Sequence, residues 1–194
     1  MRILTCSECA EWCAQRDYPI QRSAHGFVET DLTASVGAAV DLEPPKFHFV
    51  RFTTTRADSG RKVWLANFLY LLLTPAPELL IWLGDWAVWP SSQHMPLFAR
   101  FREAFGERRT LIEAPGHILT PEEKDDAVSI ISVSLLFIWN CHVLSASGRD
   151  AVFISHDEFG WFASRDAAIA KSVEDRMREA FDQSKDIRIL KAHA

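Results

Sequence analysis

The sequence predicts a single α+β domain, a central sheet of mostly antiparallel or mixed strands covered by helices, and three observations carry that prediction. A chain of 194 residues with 48% hydrophobic residues has the size and apolar content to fill one core. Four stretches read as strands, Phe47 to Thr55, Leu79 to Val88, Ile138 to Leu144 and Ala151 to Ser155, because they are apolar, β-branched or aromatic and end at turn residues. Capped helical stretches alternate with them, so both layers of an α+β domain are represented.

The elements follow in order. Thr5-Cys6-Ser7-Glu8 has the form of a capping box and starts a helix running to about Arg16. Asp17 to Lys46 mixes Gly, Ser, Thr and Asp with the pair Pro44-Pro45, so 17–46 reads as largely loop with room for one short strand. FHFVRFTTT is a strand ended by Ala57-Asp58-Ser59-Gly60. RKVWLANFLYLLL places Val63, Trp64, Phe68, Leu71 and Leu72 at helical spacing until Pro75 stops it. ELLIWLGDWAVW, Glu78 to Trp89, is a strand buried on both faces along its first half, ended by Pro90-Ser91-Ser92.

Leu97 to Phe105 is a short helix with Phe98, Phe101 and Phe105 on one face and Gly106 as its stop. Thr120-Pro121-Glu122-Glu123 combines a capping Thr, a Pro at the first helical position and acidic first-turn residues. The helix it starts extends toward Phe137 and is apolar nearly all round, as a helix in the middle of a protein should be. IWNCHVLSASGRDAVFIS reads as a hairpin turning near Ser147-Gly148-Arg149. Asp166 to Phe181 is an amphipathic helix, and IRIL adds an edge strand.

Charge and composition exclude several functions. The net charge is −5, the isoelectric point is about 5.8, and no run of Lys or Arg exceeds two residues. The basic footprint that neutralises a phosphate backbone is missing, so nucleic acid is not an expected partner, whereas a basic protein would be attracted. MRILTCSECAEWC has no apolar leader, and four cysteines without export suggest reduced thiols and a cytoplasmic location. The apolar window from Trp64 to Leu83 is interrupted by Pro75, Pro77 and Glu78, so it reads as two buried elements and not as a membrane span. No P-loop, G-x-G-x-x-G, G-x-S-x-G or H-E-x-x-H occurs, and no cofactor is expected.

Four groups of residues stand out. Ser155, His156, Asp157 and Glu158 follow an apolar strand; Ser155 and Glu158 are spaced as a second capping box, so the strand is expected to run into a helical turn. The alternative is chemistry, an acid/base or metal centre on His156, Asp157 and Glu158 with His142 nearby. Cys6, Cys9 and Cys13 with Cys141 or His142 have the types of a four-ligand zinc site, but Cys6, Cys9, Ala10, Cys13 and Ala14 also fit the buried stripe of one helix, which is the favoured reading. No metal is therefore expected. Cys6 at the helix start has the position of a reactive thiol. Cys141 belongs with Trp139 and Val143 in the core and His142 on the opposite strand face, partly exposed.

Three of the seven tryptophans lie in WLGDWAVW. Asp85, Trp86 and Trp89 are candidates for a partner-binding cluster, although filling the core accounts for the tryptophans as well. His117 reads as a solvated turn residue and Arg108-Arg109 as a surface pair. The segment WNCHVLSASGRDAVFISHDEF resembles one found in small bacterial proteins of the toxin-immunity type, in which a Trp-Asp strand leads into a hairpin ending in Ser-His-Asp. Ser155, His156 and Asp157 match that pattern, while Asn140 stands where it has Asp. The resemblance covers about a tenth of the chain and implies a non-enzymatic binding role.

The expectation is thus a small cytoplasmic protein that binds another protein, with a basic one favoured by charge, through Asp85, Trp86, Trp89, His156, Asp157 and Glu158. An immunity protein that neutralises a bacterial toxin is the form the resemblance suggests. The alternative is a hydrolase or metal-dependent enzyme, and a homo-oligomeric structural subunit is a third reading.

Overall fold

The computed structural model describes residues 1–22, 38–40, 46–54, 58–84, 95–182 and 187–190. In chain order its strands are β1 (Arg2–Leu4), β2 (Ile20–Arg22), β3 (Ala38–Val40), β4 (His48–Thr53), β5 (Leu79–Leu83), β6 (Gly116–Leu119), β7 (Cys141–Ser145), β8 (Asp150–Ile154), β9 (Phe159–Ser164) and β10 (Arg188–Leu190). Its helices are α1 (Cys6–Ala14), α2 (Ser59–Leu72), α3 (Met95–Glu103), α4 (Lys124–Phe137) and α5 (Ala167–Asp182). Eight strands form one sheet in the order β1-β6-β5-β7-β8-β9-β4-β10, and β2 pairs with β3 apart from it. Every pairing in the sheet is antiparallel, so the chain is an α+β domain as its sequence predicts.

Local chemistry accounts for the helix boundaries. At α1 the Thr5 N–H donates to Glu8 Oε2 (2.7 Å) and the Glu8 N–H donates back to Thr5 Oγ1 (3.3 Å), which closes the capping box. Asp58 caps α2 by accepting from the Arg61 N–H at 2.8 Å. The apolar helix α4 carries serines in its core, and they are satisfied within the helix: Ser132 and Ser134 donate to the carbonyls of Val128 and Ile130. The buried stripe of α1 is Cys9, Trp12 and Cys13, with Cys6 and Ala10 half-buried and Ala14 exposed.

The sheet divides the core in two. On one face α2 and α4 pack together and α5 lies on β4, β9 and β10, over Val50, Phe52, Ile81, Leu83, Val143, Val152 and Phe162. On the other, Cys9, Trp12 and Cys13 of α1 join Tyr18 and Phe47 over Leu80, Trp82, Leu144, Ala151 and Ala163. Alternate residues of β5 serve the two faces, which is why all five of its side chains are buried. The Tyr18 hydroxyl lies between the carbonyls of Ser145 (2.9 Å) and Asp150 (2.6 Å) and ties the end of α1 to the β7–β8 hairpin.

Three strands of the sheet are additions to the sequence reading, namely β1, β6 and β9, and the 17–46 region contributes two short strands where one was expected. His117 is a correction. It lies within β6, between Ile3 and Ile81 in register, and is fully buried. The Ser155 to Glu158 stretch is a second correction: it enters no helix and is the tight turn joining β8 to β9. Glycine permits this hairpin to close on β4, because a Cβ at Gly160 would stand 2.6 Å from Phe52 Cζ and 2.7 Å from the Phe153 carbonyl.

Candidate functional site

The β8–β9 turn is bound from both sides. The Ser155 N–H donates to the Phe159 carbonyl (2.8 Å) and the Glu158 N–H to the Ser155 carbonyl (3.1 Å). The Ser155 hydroxyl accepts from the Asp157 N–H at 3.1 Å. Glu158 sits in the left-handed region with φ of 60°, a conformation a non-glycine residue adopts only when its surroundings hold it there. Here its carbonyl accepts from the Thr54 N–H (2.8 Å) and from the hydroxyls of Thr53 and Thr54 (3.2 and 3.1 Å).

This clamp parts Glu158 from His156 and Asp157, which stay together. Glu158 places Oε1 3.5 Å from Nζ of Lys62, a buried lysine of α2. It is therefore an internal ion-pair partner. His156 is oriented by Asn140, whose Oδ1 accepts from the His156 N–H (2.8 Å) and lies 3.0 Å from ring Nδ1. Asp157 places Oδ1 3.5 Å from His156 Nε2, and its side chain is 69% exposed.

Beside the turn, a row of rings crosses the sheet. His142, Phe153 and Trp161 face one another across β7, β8 and β9, with ring centroids 4.6 and 5.3 Å apart. Phe49 meets Trp161 edge-on at 5.5 Å and Phe159 meets Phe153 at 6.3 Å. All five are half-buried. Desolvation pushes the His142 imidazole down to about 4, and burial with the neighbouring Arg102 charge pushes His117 down to about 3. In the unfolded chain both return to about 6.5.

Between these values the unfolded state binds the extra protons, so stability is complete above about pH 6.5 and is lost as pH falls toward 4. Urea midpoints at pH 5 and pH 7.5 should therefore differ, with the lower at pH 5. His142→Phe should shrink that difference, and an undiminished difference would show that His142 does not contribute to it.

Several expected site residues are not brought together. Asp85, Trp86 and Trp89 lie outside the described residues. The four cysteines do not converge: Cys9 and Cys13 belong to the core under α1 and Cys141 to the core on the opposite face of the sheet. A zinc site using all four is thus not what the fold builds, and no metal-holding group of His, Cys, Asp or Glu occurs among the described residues. Partial burial raises the Cys6 thiol pKa, which corrects the expectation of a reactive thiol at the helix start. Cys141 is buried beside Val143, and His142 lies on the other face, both as expected.

One polar cluster was not singled out in the sequence. Arg102, His117 and Trp139 are all buried and come together around the ring of Phe98. A helical heptad with Arg four residues after Phe gives no hint that the guanidinium faces inward. Arg109, read as a surface residue only, chelates Glu107 through Nε and Nη2. Compared with protein-family models, with curated proteins and with solved structures, the chain matches none of them.

Proposed function

We propose that this protein binds another protein through the β8–β9 turn and the adjoining row of His142, Phe153, Trp161 and Phe49. The observation that supports this most is the exposed Asp157 carboxylate, carried at the apex of a turn whose backbone is clamped at both ends. A pre-ordered charged group beside half-exposed aromatic rings has the make-up of a binding hot spot, with little ordering entropy left to lose. The acidic chain favours a basic partner. Neutralisation of a bacterial toxin is the role that the resemblance of the β7–β8 hairpin and its following turn suggests.

An enzyme centred here would have to work without Glu158, which Lys62 occupies, leaving His156 and Asp157. The binding reading asks for less. Its test is affinity capture from cells followed by kinetics with the captured protein. Asp157→Asn should slow association several-fold at low salt and have little effect at high salt, while Trp161→Ala should speed dissociation about tenfold or more. A captured partner whose rates are unmoved by both changes would place its interface elsewhere and sink the proposal.

A further inference from the structure

We propose that the region beneath α3 is a binding site for a small apolar carboxylate, held closed in this structure by Phe98. The helix fully buries Phe98 and Arg102, with Met95 and Phe101 half-buried against the same core, so a guanidinium stands among the groups that seat it. Arg102 is 2% exposed. Its Nη2 donates to the Ala114 carbonyl at 2.7 Å, but its Nε has no partner among the described residues. No carboxylate forms an ion pair with it among the described residues, and the nearby Glu107 is taken by Arg109. A buried guanidinium without an anion is costly to fold around, and proteins normally pair it.

The surroundings of Arg102 have the same shortage. Nε1 of Trp139 is buried with no hydrogen-bond partner among the described residues, while the buried His117 ring faces the backbone carbonyls of Ile81 and Pro115. Phe98 joins the set, with its ring 5.8 Å from His117 and 5.3 Å from Trp139, edge to face in each case. Buried polar groups are almost always satisfied, so the unsatisfied N–H groups of Arg102 and Trp139 in one neighbourhood point to an absent acceptor. Guanidinium and indole each offer an N–H donor, and a carboxylate accepts several such bonds at once.

The remaining wall decides the rest of the ligand. Phe101, Leu111 and Phe137 pack in the same core as Phe98 and Trp139. One guanidinium balances a monoanion, and the aromatic wall suits a ring or short alkyl chain better than a phosphate dianion. The unpartnered nitrogens are sealed from solvent, so a ligand reaches them only when Phe98 swings aside and its own apolar part fills the vacated space.

The test is thermal melting of the full chain with benzoate, with hexanoate, and with benzamide as the neutral isostere. One of the two carboxylates should raise the melting temperature saturably at millimolar concentration, and benzamide should not. Arg102→Met should raise the melting temperature of the ligand-free protein by several degrees, because it replaces an uncompensated charge, and should abolish the carboxylate effect. Where that variant does not fold, the indole N–H resonance of Trp139 in the unaltered protein, assigned by its loss in Trp139→Phe, is the second measurement. It should move on titration with the stabilising carboxylate. An unmoved indole resonance and an unchanged melting temperature with both acids would overturn the proposal, as would an equal shift with benzamide or in Arg102→Met.

Discussion

Truncating Trp82 to alanine should lower the unfolding free energy by about 3–5 kcal/mol, the usual cost of emptying a large buried aromatic site. Trp82 is 2% exposed and lies on β5 between Gly116 of β6 and His142 of β7. It fills the core between the sheet and α1 together with Leu80, Cys9 and Leu144. That core is the smaller of the two, and Trp12, Tyr18 and Phe47 are its other large buried side chains. In a domain of this length the melting temperature falls about 2–4 °C per kcal/mol, so the effect is visible by heat and by urea alike. The comparison that gives the number meaning is Trp161→Ala, on the same face of the sheet but half-exposed. It should cost clearly less. If the two variants lost the same stability, the face under α1 would not be the packed core described here.

The elements that were legible in the sequence are those whose signals are local. The Thr5 capping box, the proline-started helix after Thr120 and the hairpin at Gly148 each depend on residues within a turn of one another, and each forms where expected. The elements that were missed are specified by partners far away in sequence. β1 has three residues and exists because Ile3 meets His117 across the ladder. The Ala114-Pro115-Gly116-His117 stretch has turn-forming residues, yet Gly116 is needed because Cys9 approaches it from α1, and that approach is a tertiary fact.

The candidate site divides in the same way. Ser155, His156 and Asp157 were visible as a cluster, since they are consecutive. Whether Glu158 joins them was not visible, because its positive φ and its ion pair with Lys62 decide it. The capping-box pattern misled for a physical reason: a serine hydroxyl accepts an N–H from two residues ahead in a turn as readily as from three ahead at a helix start. Asn140, which orients His156, comes from the preceding hairpin strand and bears on the site only once β7 and β8 are paired.

The same dependence on distant contact makes Gly116→Ala the most informative single methyl group to add. A Cβ there would run into Cys9 Sγ and would stand 3.1 Å from Leu4 Cβ and 3.4 Å from Leu80 Cδ1. Overpacking of this kind costs about 1–3 kcal/mol, and it should push α1 away from β6. Cys9→Ala removes the sulfur and opens a small gap, so alone it also destabilises. In the double variant the new methyl group occupies the space the sulfur left. The two losses should therefore not add, and the coupling should be about 0.5–3 kcal/mol in favour of the pair. Additive losses would mean that α1 yields freely and that Cys9 is not what requires glycine. A strong coupling would locate the seat of α1 on the sheet at one atom pair, and with it the position of Tyr18, whose hydroxyl holds the β7–β8 hairpin that leads to His156 and Asp157.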